Sequence, residues 1–462
     1  MNNSTRLQPK AKLMVLAPVF AALAACGGSD PASIDPASVS LAEVETPVRP
    51  ADYAPDTAAT TAADAPATEI TPAASSTDGA SAATTDTSAA TTDTSAATTD
   101  TSAATTNAPT GNKSLASVAA VGARDPLKQP FASNSIWNMP IGSGARFVRA
   151  NLNSRPGNNI WAQMPGIDDE KIILKPTAPL VNINYSNAAW TGRNRCSATG
   201  GLMYQVPMPS NYIIPNTNKN SSATFLLRDG RTLVQTQPVA RCTAGGPATS
   251  FAKFANVDLY GSGITGAHGG SGLSAIGGSI RLGELRPGTT TGPRHALKVN
   301  VYAKEALYRC TTRSACSRWP ATTSDSYAVG WYGSASGNGN TAMKMGALLA
   351  IPGTTSIASL GLETTPAKQL AWTLQNYGAY IVDDTYAPGF DISAEDGPDG
   401  SKRAEFRRDW GFDMNQKVQG NTAWMRDIQR LMRALSVVDN NSPTSIGGGG
   451  TPRQPLAPAI AR

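Results

Sequence analysis

Histidine and cysteine are scarce in this chain of 462 residues. Only two histidines, His268 and His295, and five cysteines occur, and none of them has Cys-x-x-Cys or His-x-x-x-His spacing. Zinc sites in proteins usually use such close pairs. The sequence therefore predicts no metal site and no cofactor.

The sequence also offers no long apolar segment at its start. The apolar run of residues 13–25 falls well short of the ~20 residues that a transmembrane helix needs. It follows the basic residues Arg6, Lys10 and Lys12 and ends in small residues. This order is typical of a secretory signal. We therefore predict that residues 1–25 are a signal peptide and that the protein is exported.

The predicted signal closes on Leu23-Ala24-Ala25-Cys26, which resembles the lipobox of bacterial lipoproteins. The resemblance implies cleavage after Ala25, a diacylglycerol on the Cys26 thiol and a further acyl chain, such as palmitate, on its amine. Two or more acyl chains anchor a protein stably in a membrane. Gly27, rather than aspartate, follows the cysteine, which in this family implies attachment to the outer membrane. These residues leave open whether the domain faces the periplasm or the outside of the cell. A cleaved signal with a chance cysteine is the alternative.

Four cysteines remain once Cys26 carries lipid. An even number in an exported protein predicts two disulfides, although four cysteines allow three connectivities. Proximity along the chain favours Cys310–Cys316 and Cys196–Cys242.

Residues 26–120 consist mainly of Ala, Thr, Ser, Asp and Pro, with a seven-residue repeat that begins at Thr87, Thr94 and Thr101. No large apolar residue is available to fill the seam of a coiled coil. Such a composition buries too little to offset the entropy of ordering. We expect a disordered tether behind the lipidated cysteine.

Charge divides the chain in two. Residues 1–120 carry five Lys and Arg against twelve Asp and Glu, whereas residues 121–462 carry 34 against 21. A basic folded body suggests an anionic partner. For an exported protein we expect acidic polysaccharide or the membrane surface rather than nucleic acid. A basic surface that only aids solubility is the alternative, and the oligomeric state stays open.

Residues 121–440 hold all eight tryptophans and form the predicted globular domain, followed by a Gly/Pro-rich tail at 441–462. Short apolar runs between Gly and Pro predict strands at residues 172–174, 224–227, 231–239, 279–285, 295–302, 347–351 and 379–382. Helical spacing of apolar residues occurs at 367–376 and 423–435. Many short strands predict a mainly β fold, a β-sandwich or jelly-roll-like domain with two or three packed helices.

Lyase chemistry is one hypothesis for this domain. β-Elimination on a uronic acid needs a cation for the carboxylate and a base for the proton. His268, followed by two glycines, could be the base, Arg281 the cation and Tyr260 the donor to the leaving oxygen. A regular strand would place Glu284 on the face opposite Arg281. His295 continues an apolar strand face and is expected to be structural.

Hydrolase chemistry is the second hypothesis, because a glycosidase needs two carboxyl groups across the scissile bond. Asp258, Glu284, Asp325 and the pair at 395–396 lie near glycines or strand ends. Residues 395–400 could also hold Ca²⁺, although they do not match a calcium loop. Trp137, Trp319 and Trp331 are candidates for stacking on sugar rings.

A serine esterase is not supported. His268-Gly269-Gly270 is similar to the oxyanion loop of esterases, but no serine lies in a Gly-x-Ser-x-Gly motif. The segments 319–321, 374–380 and 445–453 resemble those of secreted β-rich bacterial proteins without an assigned activity, which implies no catalytic residue. Two hypotheses remain: a tethered enzyme acting on polysaccharide, or a non-catalytic glycan-binding or structural envelope lipoprotein.

Overall fold

A computed structural model describes residues 124–152, 165–416 and 422–460, which belong to one compact unit. The predicted signal peptide, Cys26 and the tether lie outside the described residues. Within the described ranges, no helix has both the length and the apolar character required to cross a membrane.

Fifteen strands are described in this part of the chain: β1 (Phe147–Arg149), β2 (Pro165–Ile173), β3 (Leu180–Tyr185), β4 (Leu202–Pro207), β5 (Ala223–Leu226), β6 (Thr232–Ala240), β7 (Ala248–Lys253), β8 (Val257–Asp258), β9 (Thr265–His268), β10 (Leu297–Val301), β11 (Leu348–Ala350), β12 (Ala379–Asp384), β13 (Phe390–Gly397), β14 (Gly400–Ser401) and β15 (Ser436–Val438). The α-helices described are α1 (Ala303–Ala306), α2 (Ala328–Trp331), α3 (Thr365–Asn376), α4 (Lys402–Trp410) and α5 (Ala423–Ala434). Short 3₁₀ turns occupy Arg313–Cys316, Ala358–Leu360 and Ile446–Gly448.

Hydrogen bonds join fourteen of these strands into one mixed sheet. Its order is β1-β15-β11-β12-β10-β13-β2-β5-β6-β7-β3-β4, with β14 on β13 and β8 on β6. The pairs β10–β12, β13–β2, β2–β5 and β3–β7 are parallel, and the others are antiparallel.

The prediction of a mainly β fold is confirmed. The described strands also show how they are arranged, which is in one mixed sheet. A sandwich or jelly roll divides its strands between two sheets, whereas the described strands follow one continuous path. Parallel pairs require long crossovers, which local turn patterns do not reveal. Three helices, α3, α4 and α5, have nine to twelve residues, and two more are single turns.

Local sequence explains the best-predicted elements. All five residues of β10 and all six of β12 are buried, as expected for central strands covered on both faces. Helix α5 buries Trp424, Ile428 and Leu431 along one side, and the Thr422 hydroxyl caps it by accepting a bond from Met425 N at 3.2 Å. The predicted helices at 367–376 and 423–435 are therefore confirmed to within two residues.

The predicted strand at 279–285 is wrong. Ile280 forms a single bridge to Ala394, and the chain then turns, with Glu284 N donating to Arg281 O at 3.2 Å. Gly283 has φ +88° and Leu285 φ +45°, and such left-handed residues end an extended strand.

The segment predicted as a C-terminal tail is packed where it is described. Ser143 N donates to Thr451 O at 2.8 Å, and Arg453 N donates to Ile141 O at 2.9 Å. A Cβ on Gly142 would lie 2.0 Å from the carbonyl oxygen of Gly449. Glycine thus lets two backbones meet: residues 447–453 lie against residues 141–146, and Ala459 O accepts from Arg124 N at 2.9 Å.

Both predicted disulfides are confirmed. Cys196 pairs with Cys242, 46 residues away, and Cys310 pairs with Cys316, six residues away. Cys242 is exposed, whereas Cys310 and Cys316 are buried.

We predict that the two bonds differ in accessibility and in stabilisation. Mild reductant should open Cys196–Cys242 first, because Cys242 is an exposed residue whereas Cys310 and Cys316 are buried, as followed by thiol alkylation and mass spectrometry. The double variant Cys196→Ser/Cys242→Ser should lose about 4 kcal/mol of unfolding free energy in urea, and Cys310→Ser/Cys316→Ser about 2, because the first closes the longer loop. Equal losses would contradict the loop-length argument.

Candidate functional site

Polar side chains occupy one face of the sheet at its centre. Asp168 and Glu170 are two residues apart on β2, so they point to the same face. Both are buried. Asp168 is paired in register with Ser393 of β13, and Asn300 of β10 donates to the Asp168 carboxylate at 2.9 Å. A buried sheet face with several ionisable groups needs compensating partners.

His268 supplies one of these partners. It ends β9 at the start of a glycine-rich turn, residues 268–272, which we call the glycine loop, and it is fully buried. Its Nε2 bonds to the Glu170 carboxylate and lies 4.0 Å from Asp168 Oδ2, and its Nδ1 lies 3.6 Å from Asp383 Oδ2. One imidazole therefore faces three carboxylates.

Lys298 supplies the other partner from β10. Its ammonium lies 2.8 Å from the same Glu170 oxygen and donates to the carbonyls of Ser274 and Ala275 at 3.0 and 2.6 Å. Lys298 is completely buried. All three donor positions of the ammonium are satisfied, so Lys298 binds the segment after the glycine loop to the sheet.

The pKa values follow from these contacts. Burial alone would lower the pKa of His268, but the Glu170 carboxylate outweighs it and raises this pKa to about 9. Burial would raise the pKa of Glu170, but Lys298 and His268 outweigh it and lower this pKa. The pKa of Lys298 is lowered by burial, which Glu170 opposes. We refer to Asp168, Glu170, His268, Lys298 and Asp383 as the ion cluster.

At Gly270 the ion cluster meets a further carboxylate, that of Asp325. A Cβ at this glycine would lie 2.4 Å from Asp383 Oδ1 and 3.2 Å from Asp325 Oδ2, so the two carboxylates approach each other there. Asp383 also accepts from the Asn220 amide at 2.8 Å, and Asp325 accepts from the Tyr332 hydroxyl at 2.6 Å. Asp325 is half-buried, and Asp383 is buried. Asp325 is therefore more exposed than the cluster carboxylate that it approaches.

Three half-buried aromatic residues, Tyr327, Trp331 and Tyr386, form an aromatic cluster beside it. Trp331 and Tyr386 are stacked with ring centroids 4.9 Å apart and an interplanar angle of 12°, and Tyr327 meets Tyr386 edge-on at 5.8 Å. Tyr386 has φ +57°, a conformation that non-glycine residues rarely adopt and that concentrates at functional sites.

Asp384 holds the aromatic cluster together. Its carboxylate accepts from Trp331 Nε1 at 2.8 Å, from the Tyr327 hydroxyl at 3.3 Å and from the backbone of Tyr386 at 2.9 Å. Burial raises the pKa of Asp384 to about 6, against the hydrogen bonds that it accepts. Because Asp383 and Asp384 are consecutive, the end of β12 joins the ion cluster to the aromatic cluster.

Asp258 and Tyr260, both predicted site residues, lie elsewhere. Asp258 pairs with Arg231 at 2.6 Å in an exposed ion pair, and the Arg231 guanidinium lies 5.3 Å from the centre of the Tyr260 ring. Their described contacts are with each other and with Arg231 rather than with His268. The predicted combination of Tyr260 and His268 in one site is therefore not found.

Arg281 and Glu284 lie on a turn, and the regular strand that would place them on opposite faces is not formed. The turn at 281–284 lets the Glu284 carboxylate accept from Arg281 N at 2.7 Å and from His295 Nε2 at 3.1 Å. The Arg281 side chain pairs with Glu395 at 2.9 Å. Burial would lower the pKa of His295, but Glu284 outweighs it and raises this pKa. His295 is thus buried and paired, as expected of a structural histidine.

The three candidate tryptophans also differ. Trp137 is buried and donates to Gly263 O at 2.6 Å, and Trp319 packs against the apolar core. Trp331 alone of the three belongs to the aromatic cluster. Sequence reasoning missed Asp168, Glu170, Lys298 and Asp383. Lys298 was marked as the charged residue of the apolar strand β10, and Asp383 follows the apolar run of β12, whereas Asp168 and Glu170 lie in a charged run that gave no such signal.

Comparison with family models, curated proteins and solved structures finds no match to this chain.

We predict that the titration of Asp384 changes stability between pH 4 and pH 7. The raised pKa means that the folded state holds this proton more tightly, so the contribution is complete below about pH 4 and is lost as the pH rises through about 6. Relative to Asp384→Asn, the wild-type unfolding free energy should fall by at most about 3 kcal/mol over this range, as measured in urea.

The exposed carboxylate variant Asp399→Asn serves as the control and should follow the wild-type profile. A wild-type minus Asp384→Asn difference that stays flat from pH 4 to pH 7 would contradict the shifted pKa.

Proposed function

We propose that this protein is an exported lipoprotein, anchored to the outer membrane through Cys26, whose folded part binds polysaccharide at the aromatic cluster. The lipobox resemblance and the tether composition support the anchor. The site supports the ligand class, and one observation carries it: a stacked, half-buried Trp331–Tyr386 pair held by a buried carboxylate.

The aromatic cluster has the features that a sugar ring requires. Aromatic faces bind the apolar face of a sugar, while nearby polar groups bind its hydroxyls. The cluster is fixed in advance by Asp384, so binding would cost little ordering of side chains. Asp325 near Gly270, and Asn220, which donates to Asp383, are half-buried polar side chains that would offer the polar contacts.

Lys304 supports a preference for acidic chains. Its ammonium lies 4.5 Å from the centre of the Trp331 ring, and within the described residues it forms no ion pair. A uronate carboxylate could pair with this ammonium while its ring packs on the aromatic cluster. The positive charge of residues 121–462 acts in the same direction at longer range.

We predict that Tyr386→Ala weakens glycan binding about tenfold, which corresponds to about 1.4 kcal/mol, because it removes one member of the stacked pair. Binding of the full-length protein to polygalacturonate and to uncharged dextran is measured by calorimetry or affinity electrophoresis. Lys304→Ala should weaken only polygalacturonate binding, and more strongly at low salt.

Tyr260→Ala is the matched control, since Tyr260 is also half-buried and packs on an arginine outside the aromatic cluster. If Tyr260→Ala and Tyr386→Ala reduce binding equally, or if neither polymer binds the wild type, the proposed glycan site is wrong.

Glycan cleavage is the second candidate function, favoured by the approach of Asp325 and Asp383 at Gly270. Glycoside hydrolysis needs two carboxyl groups about 5–9.5 Å apart, one acting as acid and the other as nucleophile or base. Asp325 is the more exposed of the two and is the group that would contact substrate. His268, the predicted base, is buried and paired with carboxylates of the protein, so it is not placed to contact a substrate. This favours glycan binding without cleavage.

We predict that, if the protein cleaves glycan, Asp325→Asn lowers the rate by at least about a hundredfold, because it removes the proton-transfer group. New reducing ends and the absorbance of unsaturated products are followed with a panel of uronate and neutral polymers. Asp399→Asn should retain the wild-type rate. Absence of product from every polymer would leave glycan binding as the sole function.

A further inference from the structure

The ion cluster carries more negative charge than its fixed cation balances. Three buried carboxylates, those of Asp168, Glu170 and Asp383, surround His268, and the cluster contains one lysine ammonium, which pairs with Glu170. Two negative charges therefore remain, and a protonated imidazole at His268 offsets only one of them. Uncompensated charge in a buried site is costly. A cation of higher charge in place of the imidazole proton would balance the remaining negative charge.

Three of the ligand atoms needed for such a cation are already gathered. One atom each from Asp168, Glu170 and His268 lie within 4.8 Å of one another. Asp168 and Glu170 come from the same face of β2, and His268 comes from β9, so the set joins two separate parts of the chain. Carboxylate oxygens and imidazole nitrogen together suit Mn²⁺ or Zn²⁺.

Unpartnered atoms provide an independent indication of a ligand. The second carboxylate oxygen of Glu170 and the side-chain carbonyl oxygen of Asn300 are buried without a hydrogen-bond partner. Both residues are at most 2% exposed. Asn300 contacts Asp168 through its amide nitrogen, so this unpartnered oxygen belongs to a side chain that touches the proposed ligand set. Buried acceptors without donors are rare in folded proteins, and a bound cation would satisfy them.

We propose that Asp168, Glu170 and His268 bind one divalent transition-metal cation, which fastens the glycine loop to the sheet. The neutral imidazole binds the cation through one nitrogen. Lys298 stays in place, because the carbonyls of Ser274 and Ala275 also hold it. With the cation bound, the charges of the ion cluster sum to zero. This site is separate from the aromatic cluster and does not depend on the proposed glycan binding.

Metal content and thermal unfolding of the full-length protein test this site. Protein produced with Mn²⁺ or Zn²⁺ in the medium should contain about one ion per chain after dialysis, as measured by mass spectrometry of the metals. Added Mn²⁺ or Zn²⁺ should raise the Tm of metal-depleted protein, whereas Mg²⁺ and Ca²⁺ should raise it less. X-ray absorption of the Zn²⁺ form should show nitrogen and oxygen neighbours and no sulfur.

Two pairs of variants separate the site from general destabilisation. Asp168→Asn and His268→Gln should weaken metal affinity by at least about tenfold. Their controls, Asp169→Asn on the opposite face of β2 and His295→Gln at the other buried histidine, should keep the wild-type content. If the first pair does not fold, the wild-type content and the Tm shift decide alone. Wild-type protein without bound metal and without a Tm shift would overturn the proposal, as would equal metal loss in the controls.

Discussion

The buried contact of Lys298 and His268 with one Glu170 oxygen is the interaction on which the rest of the site depends. A lysine ammonium without partners in an apolar core would cost several kcal/mol. Here the two carbonyl oxygens that complete its shell, from Ser274 and Ala275, belong to the segment that follows the glycine loop. The charge can therefore be buried only when that segment lies on the sheet, so the electrostatics of β2 and β10 determine where the glycine loop sits.

The same contact determines the geometry of the more exposed groups. With His268 held by Glu170, its other nitrogen faces Asp383 at the end of β12. The next residue, Asp384, faces away from the ion cluster and binds Trp331 and the backbone of Tyr386. Two consecutive carboxylates thus orient a buried polar layer on one side and an aromatic surface on the other. A displacement of the glycine loop would be transmitted to the aromatic cluster through Asp383 and Asp384 at the end of β12. All of β12 is buried, so its end is held in place by packing.

Parts of this arrangement could be predicted from the sequence. The features that could not be predicted share one physical reason. The apolar runs of β10, β11 and β12 and the one-sided pattern of α5 are local, so residue spacing was sufficient to predict them. The turn at 281–284 was missed because a strand pattern continues through Gly283, and this error separated Arg281 from Glu284. The ion cluster gathers residues from β2, β9, β10 and β12. Strand order sets these neighbours, and no short pattern encodes it.

The glycines after His268 illustrate how a correct motif received the wrong physical interpretation. Their pattern suggested that His268 could act as a base on a substrate, but His268 is fully buried. The glycines are needed for close packing: a Cβ at Gly270 would lie 2.4 Å from Asp383, and one at Gly272 would lie 2.1 Å from the Thr322 hydroxyl oxygen. Side chains at these positions would lift the loop from the polar face and expose Lys298 and Glu170 without their partners. The glycines and the buried charges therefore depend on each other. The glycines allow the close approach that pairs the charges, and the paired charges hold the loop against the sheet.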